Sequence, residues 1–178
     1  MAAEGLAAIM ESAGQSGVAK DDLVSFAEQA AKMGVAFGMT GEQSGKMMSD
    51  WRAGMGLTLE RTYALADAVN HLSNNMNATA PALGEVLQRT GPLAMQAGLA
   101  EAQVASLGAA FLSAGAGPEI ASTALSKFVS TLVKGSAMSK DQAAAFKSLG
   151  MSSTQMAQDM QRSEERRGGK ECRSRWSP

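Results

Sequence analysis

Apolar residues recur along this chain at helical spacing, interrupted at short intervals by glycine. Leu59, Tyr63, Ala66, Val69 and Leu72 or Met76 form one stripe, and Val104, Leu107, Phe111 and Leu112 another. Ala121, Leu125, Phe128 and Leu132 give a third, and Leu23, Phe26, Ala30 and Phe37 a fourth. Steps of three and four residues place each set on one face of a helix. Few Val, Ile or Thr stand in alternating runs, so strands are not expected. The pattern predicts an all-α fold: an array or bundle of about nine short amphipathic helices joined by Gly/Ser/Thr-rich turns, with a disordered C-terminal tail.

The breaks share a chemistry. A glycine, an apolar residue and a small residue are followed, three positions after the small one, by a polar residue. This reads Gly17-Val18-Ala19 with Asp22, Gly38-Met39-Thr40 with Gln43, and Gly56-Leu57-Thr58 with Arg61. It returns as Gly98-Leu99-Ala100 with Gln103 and Gly150-Met151-Ser152 with Gln155; Met138-Ser139 with Gln142 lacks the glycine. Glycine ends one helix in the left-handed conformation, Thr or Ser caps the next, and Gln completes a capping box. Ala19 and Ala100 supply no capping oxygen and mark weaker boundaries. Pro81, Pro92 and Pro118 are each expected near a helix start. The unequal spacing of the breaks argues against a strict solenoid repeat.

Composition refines this picture. Hydrophobic residues make up 45% of the chain but aromatic ones only 4%. Ala and Met dominate, which favours close, tolerant helix packing over a rigid core. The formal net charge of −1 hides a split, because Arg162, Arg166, Arg167, Lys170, Arg173 and Arg175 face only Glu164, Glu165 and Glu171 in the last 17 residues. The preceding body then holds 10 basic and 14 acidic residues and has no footprint for nucleic acid or anionic lipid. Segment 162–178, RSEERRGGKECRSRWSP, drops the apolar periodicity and resembles translated sequencing-adapter DNA. It is expected to be a non-native read-through joined to a truncated gene, leaving 1–161 as the native helical segment. Cys172, the single cysteine, falls inside it, so no intramolecular disulfide is available. The start lacks the basic region of a secretory signal. Ala102–Pro118, among the longest uncharged stretches, is too short and polar to span ~30 Å of hydrocarbon.

Candidate chemistry is sparse. His71 is the single histidine, which excludes a multi-histidine metal site, and it reads as a surface or C-terminal capping side chain. Gly41 to Met47 glances at a phosphate loop, but the glycine spacing is short and Met47 stands where magnesium needs a hydroxyl. Asp21, Asp22, Glu60 and Glu101 fit first turns, where they complement the helix dipole. Asn77-Ala78-Thr79 matches a glycosylation sequon but reads better as a loop and N-cap. Trp51-Arg52-Ala53-Gly54 is near, without matching, the Trp-x-Gly turn of small secreted helical hairpins. No catalytic, cofactor-binding or metal-binding residue is predicted and no cofactor is implied. Trp51, Phe111 and Phe128 are expected to anchor packing.

From about Thr58 to Met160 the chain resembles the tape-measure, or phage-related minor tail, proteins of long-tailed bacteriophages. The similar features are an Ala-Asp-Ala helix at Leu65–Ala68, a polar connector, a helix running into Gly98-Leu99, and an Ala-Gly-x-Gly turn from Ala114 to Gly117. An Ala-Ser-Thr-Ala-Leu helix at Ala121–Leu125 and a closing Leu149–Ser152 follow. The resemblance implies a structural ruler in the lumen of the growing tail, in phage or prophage, around which tube protein polymerises to a set length. It implies tail-tube, assembly-chaperone and tail-tip partners, homo-oligomerisation, a virion location after assembly in the host cytoplasm, and departure before or with the DNA. Drawn out as one helix, 161 residues would measure at most ~240 Å. Two other classes stay open: a bacterial helical adaptor or secreted protein-interaction module, and an enzyme such as a peptidoglycan-hydrolase segment. The last needs a general acid in a cleft or a Cys/His pair, and the body shows neither.

Overall fold

In the computed structural model the described residues, 3–148 and 150–159, contain helices and turns and no strand. The helices are α1 (Ala3–Gln15), α2 (Leu23–Phe37), α3 (Gly41–Met55), α4 (Leu59–Asn75), α5 (Ala80–Gln96), α6 (Glu101–Ser113), α7 (Pro118–Leu132), α8 (Lys140–Ser148) and α9 (153–159). Among the described residues none is long and apolar enough to cross a membrane. The tail 162–178, with Cys172, lies outside the described residues.

The connector chemistry works as a weld. At the end of α2, Gly38 adopts φ 65° and donates to the Val35 carbonyl, while the Met39 amide reaches back to Gly34 at 2.8 Å. Val18 to Ala13, Leu57 to Arg52, Leu99 to Ala94 and Met151 to Phe146 repeat that backward bond at 2.9–3.0 Å. These are Schellman closures, which satisfy orphan carbonyls and turn the following apolar residue inward. Val18, Leu57 and Leu99 are accordingly buried. Thr40 then caps α3 with a complete box: its Oγ1 accepts from the Gln43 amide at 3.2 Å, and Gln43 Oε1 accepts from the Thr40 amide at 3.0 Å. Before α6, Ala100 has no oxygen to offer, and only the returning half forms, from the Ala100 amide to Gln103 at 2.8 Å.

Successive helices pair as hairpins, and the hairpins stack. The odd-numbered helices α1, α3, α5 and α7 contact one another in order, as do α2, α4 and α6, giving two layers. Contacts advance together along adjacent odd helices, so these run parallel. Ser12 bonds Ser49 and Arg52 bonds Ser16, while Asp50 accepts from Gln88. The layers enclose one core running through all seven helices.

This arrangement refines one sequence expectation and corrects another. The helices α3, α5 and α7 begin at 41, 80 and 118, steps of 39 and 38 residues. Phe26, Leu65 and Val104 in the other layer are also 39 apart, and each is no more than 1% exposed. The fold is therefore a stack of αα-hairpins with a repeat near 39 in the odd layer, and the even helices, which begin at 23, 59, 101 and 140, keep it from being strict, as the sequence spacing suggested. The glycine breaks look irregular because they belong to two interleaved series, one inside hairpins and one between them. The break at 76–79 also lacks its glycine: α4 ends at Met76 in extended conformation. The correction concerns Pro92. Pro81 and Pro118 sit in first turns, but Pro92 lies inside α5, four residues from its end. Its ring removes one helical hydrogen bond. Its packing toward α3, 3.5 Å from where a Cβ on Gly54 would stand, holds it in place.

Candidate functional site

Several polar side chains in this fold join one helix to another. The Arg52 guanidinium, on α3, donates to the carbonyls of Ser16 at 2.5 Å and Gly17 at 3.3 Å, closing the C-terminal end of α1. A cation at that end of a helix meets its negative dipole pole. Arg61 on α4 grips Glu101 on α6 through two bonds, Nε to Oε1 at 2.9 Å and Nη2 to Oε2 at 2.6 Å. With side chains 29% and 14% exposed, this bidentate pair is the best shielded of the ion pairs described. Arg89 bonds Glu85 at 2.5 Å on its own helix and Glu119 on α7 at 3.4 Å. The buried Ser44 hydroxyl reaches the Ala30 carbonyl at 2.6 Å, fixing α2 to α3.

Small residues do the apolar counterpart. On Gly45, a Cβ would stand 3.1 Å from an Ile9 methyl and 3.3 Å from the Ile9 Cα. A Cβ on Gly84 would collide with the Met47 thioether, and one on Gly91 would lie 2.5 Å from the Met55 sulfur. The α3–α5 seam thus sets Met47, Trp51 and Met55 into notches left by glycine. The sequence reading took glycine as punctuation and missed these seats. Their signal is a glycine inside an otherwise unbroken helical stripe.

The predicted anchors divide three ways. Trp51 is 1% exposed, and its indole N–H donates to the Gly84 carbonyl at 3.2 Å. Phe111 is half-buried against the core. Phe128 is not an anchor here: it is 43% exposed, because α7 turns Ala121, Leu125, Val129 and Leu132 inward, and Phe128 stands one position off that stripe.

The remaining singled-out residues fall into structural roles. His71 is exposed in the last turns of α4 beside Asn75. The phosphate-loop look-alike is the first two turns of α3, with its Ser44 hydroxyl already engaged. Thr79 caps α5 by accepting from the Ala82 amide at 3.4 Å. Asp21 and Asp22 form the 3-10 turn before α2, and Glu60 and Glu101 stand in first turns. A cleft of about 410 Å³ between α1 and α3 is lined by Glu11, Ser12, Gln15, Glu42, Lys46 and Asp50 among others. Lys46 pairs with Asp50 along its α3 wall at 2.9 Å, and Ser12 bonds Ser49 across it at 3.2 Å. Among the described residues no group of His, Cys, Asp or Glu is placed to hold a metal ion. The arrangement is suited to stacking helices.

Comparison with known proteins points the same way. No solved structure matches. The probable tape measure protein of Halomonas phage phiHAP-1 (isolate -/Gulf of Mexico/-/2001) is 38% identical over 164 residues, covering 88% of this chain. The chain spans about a fifth of that relative, 19% of its length. The family described as phage-related minor tail protein matches residues 1–166, extending the resemblance from Thr58 back to the first residue. The chain belongs to the phage-related minor tail protein family.

Proposed function

We propose that this segment is one folded part of a tail tape-measure protein, a structural component of the virion that helps set tail length. The observation that carries the reading is the similarity to the phiHAP-1 protein over nearly the whole chain. The fold supports it: Arg52, Arg61, Ser44 and Trp51 join one helix to another, and the role asks for no catalysis. Tail-tube, chaperone and tail-tip proteins are its proposed partners, and the tail lumen its proposed place. Residues 1–161 form the native tape-measure segment in this reading.

The stacked hairpins define how such a segment measures. A continuous helix advances ~1.5 Å per residue, whereas stacked helices lie roughly 8–10 Å apart. Each hairpin of about 39 residues then adds roughly 10 Å along the stack, against about 58 Å if drawn out. The test is to excise residues 3–117, three hairpins, from the phage gene and measure tails by electron microscopy. Tails shorter by roughly 30 Å support a ruler that keeps this stack, and a loss near 170 Å a ruler that unravels it. Tails of unchanged length overturn the ruler reading for this segment.

A further inference from the structure

Both ends of the stack expose apolar residues. At one end, α2 turns Gln29, Lys32 and Ala36 toward Tyr63, Asp67 and Asn70 of α4 across a groove. At 100° per residue, Val24, Ala31 and Val35 share the flank turned away from α4. Helix α1 meets α3 through Ile9, Ser12 and Ser16. Its flank turned from α3 carries Met10 and Gly14, with Leu6 beside them. Leu6, Val24 and Val35 are exposed, and a Cβ on Gly14 would meet nothing within 4 Å. At the other end, Glu119 marks the side of α7 that reaches Arg89 on α5. Phe128, nine residues on, stands half a turn round the helix from it, with Ala124 beside it. Phe128 is exposed, as is neighbouring Ile120 at 68%. Next to α7, Leu107 of α6 is half-buried in a shallow surface with Ala102, Gln103 and Ser106.

The two ends match in size as well as polarity. Inside the stack a large side chain enters a glycine notch on the next odd helix: Ile9 faces Gly45, and Met47 faces Gly84. Counting seven residues from the capping positions Thr40 and Gly117, Met47 of α3 corresponds to Ala124 of α7. On α1 the counterpart of Gly45, 39 positions earlier, is Leu6. At the ends the sense is therefore reversed: α7 offers the notch and α1 the knob. Neither stripe includes a charged residue, so bringing them together desolvates no ion.

We propose that the α1–α2 end of one copy docks on the α6–α7 end of a second copy, α1 on α7 and α2 on α6. The row of hairpins then continues from copy to copy, with Leu6 of one seated on Ala124 of the other. The two surfaces differ, so the contact is head-to-tail and does not close as a twofold dimer. The proposal concerns the stack itself and does not depend on the ruler reading.

The test is sedimentation of the whole chain, carrying Cys172→Ser, over a range of concentrations. A mass that climbs beyond one chain is the expected result, and a chain that stays monomeric overturns the proposal. Val35→Asp blocks one end and Phe128→Asp the other; circular dichroism checks that both fold. Each should weaken self-association roughly tenfold or more. Mixed together, the two variants should form one-to-one dimers, because each keeps the end that the other lacks. A mixture that associates no better than either variant alone overturns the proposal. Leu6→Cys and Ala124→Cys in the same background read the register, since a disulfide requires Cα atoms within about 7 Å. Faster linking in the mixture than in either variant alone is expected. Self-linking of either variant at an equal or faster rate overturns the proposal, because the face then pairs with its own copy.

Discussion

The helices α3 and α8 begin with the same local chemistry and end in different environments. Thr40 and Gln43 close a capping box at 3.0 and 3.2 Å, and Ser139 and Gln142 close another at 3.1 and 3.3 Å. Yet α3 buries Ser44, Gly45, Met48, Ser49, Trp51 and Met55, while α8 buries nothing. Caps and Schellman turns therefore decide where a helix starts and stops, and neighbours on both sides decide whether it is buried. In such a stack each hairpin contributes chiefly through its nearest interfaces. Helix α3 has α1 on one side and α5 on the other, whereas α8 makes no comparable packing with another helix among the described residues.

Five substitutions, one of them with a double-mutant partner, would break or sharpen that contrast. Trp51→Ala removes the largest fully buried side chain from the α3–α5 seam and should cost about 3–5 kcal/mol, read by denaturant unfolding. A loss below about 1 kcal/mol would show that the seam does not govern stability. Glu101→Gln weakens the shielded Arg61 pair between α4 and α6 and should cost roughly 1–2 kcal/mol. A double-mutant cycle with Arg61→Gln should return most of that as coupling energy. Thr40→Ala and Ser139→Ala delete equivalent caps. The first should lower global stability by about 1 kcal/mol. The second should leave global unfolding nearly unchanged and speed amide exchange in α8 alone; equal losses for the two caps would erase the distinction between α3 and α8. Val35→Lys, at a site 84% exposed on α2, should stay within about 0.5 kcal/mol of the parent.

How much of this was legible in the sequence follows from which forces act locally. Helix class, most boundaries and most inward stripes were readable, because capping oxygens, αL glycines and 3.6-residue periodicity operate within a few residues. Pro92 was misread because a first-turn rule met a helix continued by tertiary packing against α3. Phe128 was misplaced because one position separates it from Val129, and a 100° step carries a residue from core to solvent. The repeat near 39 escaped because hairpin turns and inter-hairpin turns use the same signature, and one turn omits its glycine. Of the seams, Trp51 was legible as an anchor, but the polar pairings were not: nothing local pairs Arg61 with Glu101, 40 residues away.

The parallel stacking of odd helices has a consequence at the level of genes. Since each hairpin presents one face like its predecessor's and one like its successor's, an in-frame duplication or loss of some 39 codons carries a complete unit and leaves a matched seam behind it. A deletion of ten codons would instead rotate Trp51 or its counterpart away from its glycine notch. Length in such a protein is free to change in whole hairpins and resists change in between, so related genes should differ in this region by multiples of the repeat.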